Sequence, residues 1–151
     1  MNPGGYFEFK DVDLTPFSAI EDFDVKSSTL GKFKELLWKA YATYDIDLSA
    51  ASTISSIMKE VGFVDIEERH TQIPLGEWAK GAHFKDLGLW WGVSLYDSLD
   101  GLIRKPFQQG LGWSFEECSA YLADLKYGVR AELKAGRTYF YMTVIYGRKA
   151  P

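Results

Sequence analysis

The chain has 151 residues, of which 46% are apolar and 16% aromatic; that suffices for one domain, 1–151, with a real core, and excludes intrinsic disorder. Its 17 Lys and Arg are outnumbered by 21 Asp and Glu, leaving a formal charge of −4; the cations nowhere cluster, which argues against a charge-driven grip on nucleic acid. A lone cysteine, Cys118, excludes an internal disulfide and a cysteine zinc site. No run of about 18 apolar residues offers a membrane span, and Met1-Asn2-Pro3-Gly4-Gly5 has neither the basic start nor the apolar core of a secretory signal. A soluble protein of a reducing compartment, cytoplasmic or nuclear, is expected.

In chain order, Pro3-Gly4-Gly5 is a turn that leads into a short aromatic strand, Tyr6-Phe7-Glu8-Phe9. An acidic, irregular stretch follows, with Asp11, Asp13, Glu21, Asp22 and Asp24 around Pro16. Ser27 or Ser28 caps the first helix, in which Leu30, Phe33, Leu37, Tyr41 and Tyr44 recur at three- and four-residue steps. A second helix carries Ala50, Ile54, Ile57, Met58 and Val61 on one face and stops at Gly62. Phe63-Val64-Asp65-Ile66-Glu67 alternates apolar and acidic residues, as a half-buried strand does.

A loop with Pro74 and Gly76 reaches Trp78, and the region 82–105 then places Leu87, Trp91, Leu95, Leu99 and Ile103 in steps of four. Gly88 and Gly92 each weaken that helix by about 1 kcal/mol relative to Ala unless close packing needs them, and Pro106 is expected to end or bend it. Ser114-Phe115-Glu116-Glu117 is a capping box. The helix it opens runs through Tyr121, Leu122, Leu125 and Val129 to about Lys134, closed by Gly136. The last segment, 138–146, has no charge at all. Strands wet on one face alternate, whereas strands covered on both read as continuous apolar and β-branched residues. This one therefore belongs in the middle of a sheet, which with the flanking helices implies a layered α/β or α+β fold.

Few residues announce chemistry. His70 and His83 stand apart, without a carboxylate at triad or metal-site spacing; His70 reads as a strand end and His83 as a helix start. Cys118 falls on the inner turn of a helix and reads as a small core residue. Asp11 and Asp13, just past the first strand, are placed where open α/β sheets bind ligands. Their D-x-D pattern lacks the later Gly and Glu of a calcium loop, so no metal site is expected, and a solvated acidic loop is the competing reading. Trp78, Trp90, Trp91 and Trp113 are available to wall an aromatic cavity, though aromatic residues at helical spacing more often fill a core. Neither a phosphate-cradling glycine loop nor GxGxxG is present.

Several pieces together carry a resemblance. Pro3-Gly4-Gly5-Tyr6-Phe7-Glu8-Phe9 resembles the segment that opens the fifth strand of class I S-adenosylmethionine-dependent methyltransferases. Gly62-Phe63-Val64-Asp65, Pro74-Leu75-Gly76-Glu77-Trp78, Leu111-Gly112-Trp113-Ser114 and Tyr146-Gly147-Arg148-Lys149 narrow the resemblance to the fungal LaeA-like branch. Their order and spacing are similar to that branch across nearly the whole chain. One departure is that Arg137 stands two residues before Tyr139, where the branch often has His.

The resemblance implies a partial Rossmann-like fold, the C-terminal half of a methyltransferase, with its three strands in the order 5-7-6 and about four helices. The final strand would lie between the first and the 63–67 strand, antiparallel to both. It also implies that the cofactor-binding half is absent, so that S-adenosylmethionine, expected for the full-length family, has no binding residues here. The chain would then supply part of the methyl-acceptor wall and lid, through Asp11, Asp13, Trp90 and Trp91, without catalysis of its own. The alternative is a non-catalytic interaction module that pairs with a partner, or with its own copy, through the open edge of its first strand. A third possibility is a small aromatic-ligand carrier built on the tryptophans.

Overall fold

The uncharged run near the C-terminus takes the place its composition demands. In the computed structural model, which describes residues 1–150, it lies in a strand with a neighbour on each side. The elements in order are β1 (Tyr6–Ser18), α1 (Thr29–Ala42), α2 (Ala51–Glu60), β2 (Phe63–Pro74), α3 (Ala82–Gly110), α4 (Phe115–Ala135) and β3 (Thr138–Lys149). The fold is α/β, with an antiparallel three-stranded sheet in the order β1-β3-β2 and four helices. No residue of β3 is exposed, as a middle strand requires.

Two segments are longer than their sequence suggests. β1 continues past Phe9 through Asp11, Asp13 and Pro16 to Ser18, where an irregular acidic loop was expected. β2 continues past Glu67 through Glu68, Arg69 and His70 to Pro74. Both are edge strands, and edges tolerate charge and proline that a central strand cannot. α3 also does not end at Lys105; it runs through the buried Pro106 to Gly110. The stripe Leu95, Leu99, Ile103 carries on to Phe107, fully buried one turn later against Trp113 and Tyr121 at 5.1 and 5.7 Å between ring centres. Burying an aromatic side chain of this size stabilises by about 1.5–3 kcal/mol, enough to offset most of the roughly 3 kcal/mol that an interior proline costs a helix.

The described residues form two compact units, one from 1–13, 48–72 and 141–150, the other from 14–47 and 73–140. The second holds most of the core. There α1, α3 and α4 pack on one another through Leu30 and Leu37, Leu99 and Ile103, and Leu125 and Val129, each at most 2% exposed. Ser28 caps α1, its hydroxyl accepting from the Gly31 amide at 3.0 Å. The capping box of α4 is fully formed: the Glu117 amide donates to the Ser114 hydroxyl at 3.0 Å, and the Ser114 amide to the Glu117 carboxylate at 2.7 Å.

In the first unit only Ala51, Met58 and Ile145 are buried apolar residues among those described. Ile57 of α2 and Val61, which caps its C-terminus, were expected on one apolar face and are about half exposed. Its part of the sheet is set in register by side-chain pairs: Asp65 with Arg148, Glu67 with Tyr146, His70 with Thr143 and Gln72 with Tyr141. Gly147 lets α2 close on the sheet, since a Cβ there would come within 2.9 Å of Met58 and Ile66. The segment Pro3-Gly4-Gly5 is joined to the end of β3, with the Lys149 amide donating to the Gly5 carbonyl at 2.8 Å and the Gly4 amide to the Lys149 carbonyl at 2.9 Å. Lys149 sets its ammonium over the Phe63 ring at 5.4 Å and donates to the Val61 carbonyl. Three of the segments that carry the family resemblance thus meet in one place.

Candidate functional site

The segment Pro74-Leu75-Gly76-Glu77-Trp78 leaves β2 and is fastened at once. The Leu75 amide and the Trp78 indole N–H both donate to the Thr138 carbonyl, at 2.9 and 3.0 Å. Gly76, at φ +86°, donates to the Gly88 carbonyl at 2.9 Å. A Cβ on Gly88 would lie 2.1 Å from the Gly76 carbonyl oxygen, and one on Gly76 would lie 2.2 Å from that of Leu133. Glycine at these positions allows the loop backbone to lie directly against α3 and α4.

A cleft of about 660 Å³ opens beside this contact, within the range of small-molecule sites. Its apolar lining is Trp78, Leu89, Val93, Tyr96 and Leu133, and its charged lining is Glu77 and Asp97 with Arg130 and Lys134. Arg130 sets its guanidinium 5.6 Å from the centre of the Tyr96 ring, and the Lys126 ammonium lies 5.0 Å from the same centre. Among the described residues, none of the four charged side chains of the cleft takes part in an ion pair.

The residues singled out from sequence are not gathered here. Asp11 and Asp13 lie on β1 in the first unit, Asp11 exposed and Asp13 half-buried. Trp90 and Trp91 lie on α3 in the second unit; Trp90 is 67% exposed, and neither lines the cleft. Of the four tryptophans considered for an aromatic cavity, Trp78 lines one, while Trp113 packs edge-on against Phe107 and Tyr121. Cys118 is buried as expected, and burial pushes its thiol pKa up. Burial pushes the Tyr121 hydroxyl up to about 12. The charged lining was missed because its members come from three separate segments. Two signals were present, the Gly88 and Gly92 pair and the Arg130 and Lys134 pair, each one helical turn apart.

Two polar networks lie on the first unit's sheet. His70 links Glu68 at 3.2 Å and Thr143 at 3.0 Å, and Ser55 donates to the other oxygen of Glu68 at 2.7 Å. Tyr146 donates to Glu67, and Arg69 donates to both at 2.9 Å. The Tyr146 hydroxyl, and after it Arg69, hold the Glu67 carboxyl below the usual carboxylate range; the Glu67 bond, with some desolvation, holds the Tyr146 hydroxyl above its usual value. Among the described residues no group of three or more His, Cys, Asp or Glu is placed to hold a metal ion, and no helix is long and apolar enough to cross a membrane.

Whole-chain comparison agrees with the resemblance carried by the motif segments. The chain is 24% identical to the secondary metabolism regulator laeA of Aspergillus fumigatus over 128 residues, 83% of this chain and 34% of that protein. It is 25% identical to the protein-methionine methyltransferase laeA of Emericella nidulans, covering 83% of this chain and 33% of that protein. With the secondary metabolism regulator LAE1 of Cochliobolus heterostrophus it shares 26% identity over 136 residues, 88% of this chain and 42% of that protein. The chain therefore spans about a third of the length of the first two relatives. No family model matches it.

Proposed function

We propose that this chain is the C-terminal, acceptor-side portion of a methyltransferase-like protein of the LaeA kind, with a partial Rossmann-like fold and no independent catalysis. What carries the reading is the similarity to the LaeA and LAE1 proteins across most of this chain but only a third or so of theirs. The sheet order β1-β3-β2, with an antiparallel C-terminal strand in the middle, supports it, because the resemblance implies that order. Methyl transfer is largely a matter of positioning acceptor and sulfonium in line. On this reading the chain helps to position the acceptor, and the residues that hold S-adenosylmethionine lie outside it.

Asp11 and Asp13 in one unit, and Trp90 and Trp91 in the other, are candidates for contact with an acceptor. One relative is named for methylating protein methionine, so a methionine-containing peptide is the first acceptor to try. The single cysteine suits a reducing compartment, the cytoplasm or nucleus. Isothermal titration of the purified chain with S-adenosylmethionine tests the reading. No binding up to millimolar cofactor is expected, and micromolar affinity overturns it.

A second reading rests on the edge position of β1. β1 is an edge strand whose ladder neighbour in the described sheet is β3, and a strand edge is a template for strand addition. The chain would then act as a non-catalytic module that pairs with a partner protein or its own copy. Light scattering at rising concentration decides for self-pairing: growth beyond a monomer supports it, and a constant monomer mass removes it.

A further inference from the structure

The cleft beside Gly76 has a lining more specific than its apolar walls alone. Two anionic side chains, Glu77 and Asp97, and two cationic ones, Arg130 and Lys134, border one space of about 660 Å³. None of them is paired with another among the described residues. Arg130 and Lys134 stand one turn apart on α4 with Leu133 between them. Asp97 follows Tyr96 on α3, and Glu77 precedes Trp78 in the loop. Each aromatic ring of the cleft thus has an acid for its sequence neighbour, and the Tyr96 ring also has the Arg130 guanidinium over it.

This pattern selects among ligand classes. A purely anionic ligand would satisfy Arg130 and Lys134 but sit beside two carboxylates. A cationic one would satisfy the acids and face two cations. A neutral one would leave all four to water. A zwitterion with an aromatic body answers every group, because its carboxylate suits the forked guanidinium of Arg130, its ammonium suits Asp97 or Glu77, and its ring suits Trp78 and Tyr96. We propose that this cleft is a binding site for a small aromatic zwitterion of the amino-acid type. The proposal stands on the cleft alone and is independent of the methyltransferase reading.

Calorimetric titration of the full chain with L-tryptophan, tryptamine and indole-3-acetate tests it, since the three probes share a ring and differ in charged groups. L-Tryptophan is expected to bind at least about tenfold more tightly than either of the others, one charge-assisted bond being worth roughly that factor. Asp97→Asn should weaken L-tryptophan and tryptamine about tenfold and spare indole-3-acetate. Arg130→Gln should weaken L-tryptophan and indole-3-acetate and spare tryptamine. Both side chains are exposed, so the variants are expected to fold, and circular dichroism melts verify that they do. No binding of L-tryptophan at millimolar concentration, equal affinity for the three probes, or indifference to both substitutions overturns the proposal.

Discussion

The Gly88 carbonyl accepts the Gly76 amide at 2.9 Å, and neither residue has room for a side chain, Gly88 being closed off by the Gly76 carbonyl and Gly76 by that of Leu133. Helix propensity alone says that Gly88→Ala stabilises α3 by about 1 kcal/mol. The added Cβ would meet the Gly76 carbonyl oxygen at 2.1 Å, a backbone atom that cannot swing away. We expect a net loss of roughly 1–3 kcal/mol, measured by urea unfolding. Gly101, on the same helix, has nothing within 4 Å of such a Cβ. Gly101→Ala should therefore stabilise by roughly 0.5–1 kcal/mol, and equal effects at the two sites would refute the steric account.

Glu132 of α4 reaches across to the start of α1, where its carboxylate accepts from the amides of Thr29 and Leu30, the latter at 3.3 Å. Those amides have no partner within their own helix, and a negative charge suits a helix N-terminus. Glu132→Ala should destabilise by about 1–3 kcal/mol, and Glu132→Gln by less because its amide oxygen still accepts. A denaturation midpoint unmoved by Glu132→Ala would remove this cap from the account.

The hydroxyl of Thr138 is buried with no hydrogen-bond partner among the described residues, in a residue 1% exposed. Valine has the same shape without the unpaired polar atom, so Thr138→Val should raise stability by roughly 1 kcal/mol. A lower melting temperature for the variant would show that the hydroxyl has a partner in solution.

Glu67 and Tyr146 make the first unit's stability depend on pH at both ends. The carboxyl of Glu67 has a depressed pKa, so its contribution is present above the unfolded value of about 4.3 and is lost as pH falls through the folded value. The Tyr146 hydroxyl has a raised pKa, so its contribution is present below about 10 and is lost as pH rises through the folded value. In Tyr146→Phe, NMR titration should show the Glu67 carboxyl moving up toward its usual range while Arg69 still holds it below. An unchanged Glu67 titration would mean that the hydroxyl is not its main partner.

Cys118 is 1% exposed on the inner side of α4, and burial raises its thiol pKa. A thiol reagent should modify the native chain no faster than it unfolds and react at once in denaturant. Rapid labelling under native conditions would contradict its place in the core.

The legible parts of the chain were those ruled by local physics. The periodic residues of α1 and α4, the capping box at Ser114 and the uncharged composition of β3 each identify an element from local sequence alone. The ends of β1 and β2 were not legible. Asp11, Asp13 and Pro16, like Glu68 and Arg69, are poor strand residues that an edge position accepts, and edge position is a property of the whole sheet. The end of α3 was hidden for a similar reason, since Phe107 holds the turn beyond Pro106 through Trp113 and Tyr121. The cleft was least visible because the groups around it meet only where Gly76 and Gly88 let distant backbone segments touch.

The central place of β3 has a bearing on how the chain is made. β1 and β2 each pair with β3 and not with each other, so no ladder can start until residues from 138 onward have left the ribosome. Between residues 74 and 138 the growing chain carries two strands still waiting for β3, one beginning with the exposed aromatic pair Tyr6 and Phe7. Slow, non-local pairing of this kind favours aggregation, and yield on expression should respond to chaperone supply more than to the melting temperature of the finished protein.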